Sequence, residues 1–176
     1  MRKMLQIGPE LRFTLKFVAL FGLFYAGYMS IPDDFLRDRV FYHGITQVSA
    51  SIIDLVAPQE AVQAESNRLY SSKAALRIIR GCDGSGALFL LVAAVLVFPV
   101  SAARKLAGVL GAVLLVYVLN QLRVVGLYFV VAYERDLFLP IHTYFAPTLI
   151  VVLCSAFFAG WAIWSGRRHH DSAAAS

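Results

Sequence analysis

Four stretches of this chain are too long and too apolar for a water-soluble fold of its size. They run from about Leu11 to Ser30, Gly84 to Ser101, about Leu106 to Ala132 and Tyr144 to Ser165. The second and fourth carry no charge, and the third carries one, Arg123. Roughly 20 apolar residues in a helix cross a 30 Å hydrocarbon layer, and a helix satisfies its own backbone where water is absent. Of the 176 residues, 59% are hydrophobic and 15% charged, whereas soluble domains carry about 25% charged residues. A chain this short has too little interior to hide that apolar surface. The expected fold class is an all-α integral membrane protein, one membrane domain over residues 1–176 built as a bundle of about four transmembrane helices. A soluble globule, a disordered chain and a disulfide scaffold are excluded.

Charge placement predicts the orientation. Arg2, Lys3, Arg12, Lys16, Arg104, Lys105, Arg167 and Arg168 flank one set of span ends, opposed there by Glu10 and Asp171. The other ends carry the mixed segment Ile31–Asp83 and the short turn Glu134-Arg135-Asp136. The positive-inside rule then puts both termini in the cytoplasm of a multi-pass inner-membrane protein, with the segment 31–83 outside. The net charge of +5 is thereby a matter of topology. Nucleic acid, which needs a clustered basic face, is excluded as a partner, and the lipid bilayer is the expected one. A cleaved signal peptide over residues 1–30 is the alternative for the first span. The bulky Tyr28-Met29 pair makes a poor cleavage site, so a retained helix is preferred.

Within the external segment, residues 35–56 are moderately apolar but interrupted by Arg37, Asp38, Arg39, His43 and Asp54. This pattern fits an amphipathic helix on the interface, a re-entrant segment or an extra span. Ala57–Lys73 is polar, contains Pro58 and reads as loop.

The residues able to do chemistry gather at the expected outer ends. Cys82 sits just before the second span, where free N–H groups and the helix dipole favour a thiolate. A lone Cys is most often inert packing, yet an unpaired thiol on the oxidising side of a membrane is a liability unless its reactivity is used. The other cysteine, Cys154, lies ten residues into the fourth span, about 15 Å deeper. A disulfide needs Cα atoms within about 7 Å, so Cys154 reads as a core residue. Arg123 can snorkel, but an intramembrane Arg is costly and is a functional candidate by default. Asn120 is one turn deeper on the same helix face. His142 precedes the fourth span and is able to exchange a proton near pH 7. His43 is a weaker competitor, and His169 and His170 belong to the cytoplasmic tail. No CxxC, HExxH, GxSxG or phosphate-loop pattern occurs, so neither a metal nor a cofactor is expected. A thiol, an imidazole and a guanidinium supply a nucleophile, a proton shuttle and an oxyanion stabiliser for acyl transfer. A small membrane scaffold without enzymatic activity is the alternative class.

Three islands occur in order: Arg80-Gly81-Cys82-Asp83-Gly84 opening an apolar helix, Asn120-Gln121-Leu122-Arg123 late in the next, and His142 ahead of the last. On these, and on the hydropathy frame from roughly Leu76 to Trp164, the chain resembles the exosortase/archaeosortase family of membrane cysteine transpeptidases. Its short length and Gly-Cys-Asp-Gly form are most similar to the exosortase H type. A commoner family pattern has Ser and then Gly after the Cys, where this chain has Asp83-Gly84-Ser85. The resemblance implies cleavage of C-terminal sorting signals, each a short motif, a transmembrane helix and a basic tail on an exported protein. It implies Cys82 as nucleophile, His142 as general acid/base and Arg123 as the carbonyl stabiliser, with Asn120 and Asp83 supporting them. Asp83, Glu134 and Asp136 are the carboxylates available to orient His142.

Overall fold

The structure, a computed structural model, describes residues 8–174, with side chains for residues 8–166. Arg2 and Lys3, and the side chains of Arg167, Arg168, His169, His170 and Asp171, lie outside the described residues. Helix α1 spans Pro9–Met29, with proline at its first turn where no N–H partner is lost. A continuous helical segment follows: α2 at Asp33–Phe35, a wide π-helical stretch at Leu36–Thr46 and α3 at Gln47–Val56. Strands β1 (Gln63–Glu65), β2 (Arg68–Tyr70) and β3 (Ala75–Arg77) come next, then α4 at Ser85–Val97 and α5 at Ala102–Tyr133. The last helix starts with a 3-10 turn at Arg135–Leu137 and α6 at Phe138–Pro140, widens over Ile141–Phe145 and continues as α7, Ala146–Ala174.

Three helices are long and apolar enough to cross a membrane: Pro9–Met29, Ala102–Tyr133 and Arg135–Gly166. The expected span Gly84–Ser101 forms a helix of only 13 residues, about 20 Å at the helical rise. Both ends have a backbone cause. Gly84 lies at φ +84°, outside helical geometry. Phe98 is extended, at ψ 135°, ahead of Pro99, whose ring crowds the preceding residue out of the helical region.

Two cores organise the chain. One, among α4, α5 and α7, contains Leu91, Ala112, Val116, Ile150 and Cys154. Cys154 is buried and free, as its depth implies. Close approach of α5 and α7 depends on Gly108 and Gly111. A Cβ on Gly108 would lie 2.6 Å from Trp161 and 2.8 Å from Val95, and one on Gly111 would lie 2.8 Å from Phe157. Small residues at helix crossings let membrane helices approach closely where no hydrophobic drive separates them from lipid. At that end Lys105 donates to the Leu96 carbonyl (2.6 Å), Arg104 to the Ser165 carbonyl (2.7 Å) and Trp161 Nε1 to the Arg104 carbonyl (3.2 Å).

The second core joins the end of α1, the helix over residues 33–56, the sheet and the end of α5. Leu36, Phe41, Ile45, Ile53, Leu69, Ile78, Val124 and Tyr128 are all buried in it. The segment 35–56 is therefore an amphipathic helix packed on protein, with Arg37, Asp38, Arg39 and Asp54 left exposed. Tyr117 and Gln121 Nε2 donate to the Gly44 carbonyl (3.0 and 2.9 Å), and Ser49 donates to Gln121 Oε1 at 2.6 Å.

The loop expected over Ala57–Lys73 is corrected, and with it the all-helical description gains a sheet. Strands β1, β2 and β3 form an antiparallel meander, Leu69 pairing with Ala64 on one side and Leu76 on the other. Three-residue strands are too short for a period-2 pattern to be read. Glu60, with a fully buried side chain, ties this sheet to α5. Lys73 Nζ donates to it at 2.7 Å, Tyr128 at 3.0 Å, and the Tyr133 hydroxyl donates as well. Lys73 also sits 4.8 Å over the Tyr133 ring.

Two outcomes are expected. Gly108→Ala destabilises detergent-solubilised protein by about 1–3 kcal/mol in a dodecyl sulfate titration, whereas Gly160→Ala, with open space around it, stays within about 0.5 kcal/mol. The second concerns acid. Donation from Lys73, and then from Tyr133, holds the Glu60 carboxyl below its ordinary value. Its contribution is therefore fully present above the unfolded value of about 4.3 and is lost as pH falls through the lower folded value. Melting temperatures across pH 3–7 should drop on the acid side, and Glu60→Gln should lower the neutral plateau and flatten that limb.

Candidate active site

Cys82 lies in a turn built by its neighbours. Gly81 and Gly84 both adopt φ +84°, a left-handed conformation that glycine takes without steric cost. Asp83 fastens the turn. Its Oδ1 accepts from the Gly81 N–H (3.1 Å) and the Ser85 hydroxyl (3.0 Å), and its Oδ2 accepts from Tyr28 of α1 (2.7 Å). Arg80 adds a second tie. It bonds Asp33 at 2.7 Å, the Tyr28 carbonyl at 2.7 Å and the Ile31 carbonyl, with its guanidinium 5.0 Å over the Tyr28 ring. The turn that presents the thiol is thus held to the end of α1 from both sides.

The thiol meets the imidazole directly. Cys82 Sγ is 3.4 Å from His142 Nε2 across 60 residues of chain. Both residues are half-buried. His142 lies inside the wide first turns of the last helix, and its ring stacks on Phe138 at 5.1 Å and 24°. Transfer of the thiol proton from Sγ to Nε2 would leave the thiolate that acts as nucleophile in cysteine chemistry.

Arg123 stands on α5 one turn beyond Asn120, and its Nε is buried without a hydrogen-bond partner among the described residues. Asn120, one turn earlier, is buried against Gly84. A Cβ on Gly84 would lie 3.2 Å from the Asn120 carboxamide carbon. This contact also sets the depth of the site. Asn120 is 18 residues along α5 from Ala102, about 27 Å, so Cys82 lies far along α5 from the α4–α5 turn.

Of the three carboxylates considered for orienting His142, Asp83 is committed to the Cys82 turn, and Glu134 and Asp136 are exposed. Among the described residues no carboxylate bonds His142; Phe138 is its packing partner. His43 is exposed, bonded to Gln47 at 3.3 Å and stacked on Tyr42. Cys82 and Cys154 are both free thiols. The contributions of Tyr28 and Arg80 were not visible in the sequence, although Arg80 opens the motif that contains Cys82. Among the described residues no group of His, Cys, Asp and Glu is placed to hold a metal ion.

A family model described as Transmembrane exosortase matches residues 5–159. The chain belongs to the transmembrane exosortase family. The match runs from α1 into α7 and covers every element around Cys82. No curated protein and no solved structure matches the chain. In this exosortase chain the carboxylate beside the cysteine is spent on the loop, which gives it a measurable role. Asp83→Ala should free the turn from Tyr28 and Ser85. Cys82 alkylation by N-ethylmaleimide should then speed up several-fold while Cys154 stays unlabelled, as read by peptide mass spectrometry.

Proposed function

We propose that this chain is a membrane cysteine transpeptidase that cleaves C-terminal sorting signals of exported proteins through a thioacyl intermediate. The single observation that carries the reading is the 3.4 Å contact between Cys82 Sγ and His142 Nε2, which joins two of the three sequence islands. Cys82 is the nucleophile. Its thiol proton passes to His142 Nε2, and the thiolate adds to the peptide carbonyl carbon. Arg123 faces the carbonyl oxygen as it gains negative charge. His142 then returns the proton to the leaving amine, so the C–N bond breaks and the substrate remains as a thioester on Cys82. An acceptor nucleophile attacks that thioester and regenerates the thiol. Asp83 holds the turn that presents Cys82, and Asn120 packs against Gly84 of that turn.

The substrate class is an exported protein with a short motif, a transmembrane helix and a basic tail. Its helix lies in the same bilayer, which brings the motif to the membrane boundary where Cys82 sits. Arg104 and Lys105 at the start of α5, with Arg167 and Arg168 late in the last helix, favour cytoplasmic termini, with the site on the external, periplasmic face of the inner membrane.

Co-expression with a substrate carrying such a tail tests the mechanism. Cys82→Ala, His142→Ala and Arg123→Ala should each reduce processing at least about 100-fold, as removal of a nucleophile, a proton shuttle or an oxyanion donor does. Undiminished processing in Cys82→Ala would sink the reading. The orientation has its own check in intact spheroplasts. A membrane-impermeant maleimide should modify Cys82 and leave Cys154 untouched, and protection of both would reverse the topology.

A further inference from the structure

Asn120 is 3% exposed, and its Oδ1 is buried with no hydrogen-bond partner among the described residues. One helical turn away, Arg123 Nε is also buried and unpartnered. Buried polar groups are almost always bonded, and an exception calls for a reason. Here two exceptions of opposite kind, one acceptor and one donor, share a face of α5. Asn120 stands beside the Cys82 turn: a Cβ on Gly84 would lie 3.2 Å from its carboxamide carbon, and Arg123 follows one turn along the same helix face. Gly84 is two residues from Cys82, at most about 7 Å of chain. An acceptor and a donor on one helix face complement an extended peptide, which offers an N–H and a C=O at every residue.

We propose that Asn120 binds the backbone of the peptide presented to Cys82, its Oδ1 accepting a peptide N–H while Arg123 Nε donates to a carbonyl oxygen of the same segment. This rests on the proposed function and names what holds the acyl donor in place. Recognition through the main chain is indifferent to side chains, so the Asn120 contact aligns the scissile segment whatever its motif. Gly84 follows from the same arrangement. Any side chain there would press on the carboxamide and turn its oxygen away.

The test uses full-length protein in detergent and a pair of alanyl tripeptide chloromethyl ketones. One has free amides; the other is N-methylated at the residue next to the ketone. Each alkylates a thiolate by forming a C–S bond and releasing chloride, and the thiol proton goes to solvent. The readout is the rate of Cys82 adduct formation by mass spectrometry. Wild-type protein should react about five- to tenfold faster with the free-amide reagent, the worth of one buried hydrogen bond. In Asn120→Leu, close in size but without an acceptor, that ratio should fall to about one, each rate being taken relative to N-ethylmaleimide labelling of Cys82 in the same variant. Asn120→Asp, which keeps an acceptor oxygen, should retain the preference. A ratio unchanged in Asn120→Leu, or a ratio near one in the wild type, would overturn the proposal. Failure of the nucleophile itself has a different signature, since Cys82 would then resist all three reagents in wild-type protein.

Discussion

A carboxylate that does no chemistry sets the geometry of the site. Asp83 accepts from the backbone and side chain of its own turn and from Tyr28 at the end of α1. With Arg80 on the other side of Cys82, it fastens a glycine-flanked turn to a helix more than 50 residues away. Both glycines are left-handed, so the turn has little conformational preference of its own and depends on those bonds for its shape. Charge-assisted hydrogen bonds are among the stronger polar contacts, and half-buried surroundings screen them less than bulk water.

The rest of the bundle serves that turn by holding three helices in register. At the end away from Cys82, Gly108 and Gly111 let α5 close against α7, and Trp161, Arg104 and Lys105 tie the helix ends. Helix α5 then carries Asn120 and Arg123 up to the turn, and the last helix brings back His142. Its length matters as much as its packing. At 32 residues α5 continues past Asn120 and Arg123 to Tyr133, where it meets the sheet. Glu60, Tyr128, Tyr133 and Lys73 close that side with a buried, fully bonded carboxylate. Such a group stabilises only while every partner is present, which makes this corner sensitive to acid and to loss of a single donor.

How much was legible in the sequence varies with the range of the interaction. Apolar runs revealed α1, α5 and the last helix because lipid imposes a one-dimensional rule on helix length. The helix over residues 35–56 was visible as a pattern, but its partner was not, since an amphipathic face fits a membrane surface and a protein core equally well. The strands were missed because three residues cannot show an alternation. The second span is shorter than its hydropathy implies, since the apolar run continues through Phe98 and Pro99 where the helical backbone cannot.

The chain by itself determined that this is a membrane protein, that its cationic flanks segregate to one set of helix ends, and which three islands hold a thiol, a guanidinium and an imidazole. Those are properties of composition and spacing, summed along the chain. Only the tertiary structure decided that Cys82 and His142 touch, that Asp83 belongs to the turn and not to the imidazole, and that the buried Asn120 Oδ1 has no hydrogen-bond partner among the described residues. Each of these depends on the distance between residues far apart in sequence. Such distances come from helix packing and hydrogen bonds across the fold, which no local pattern encodes.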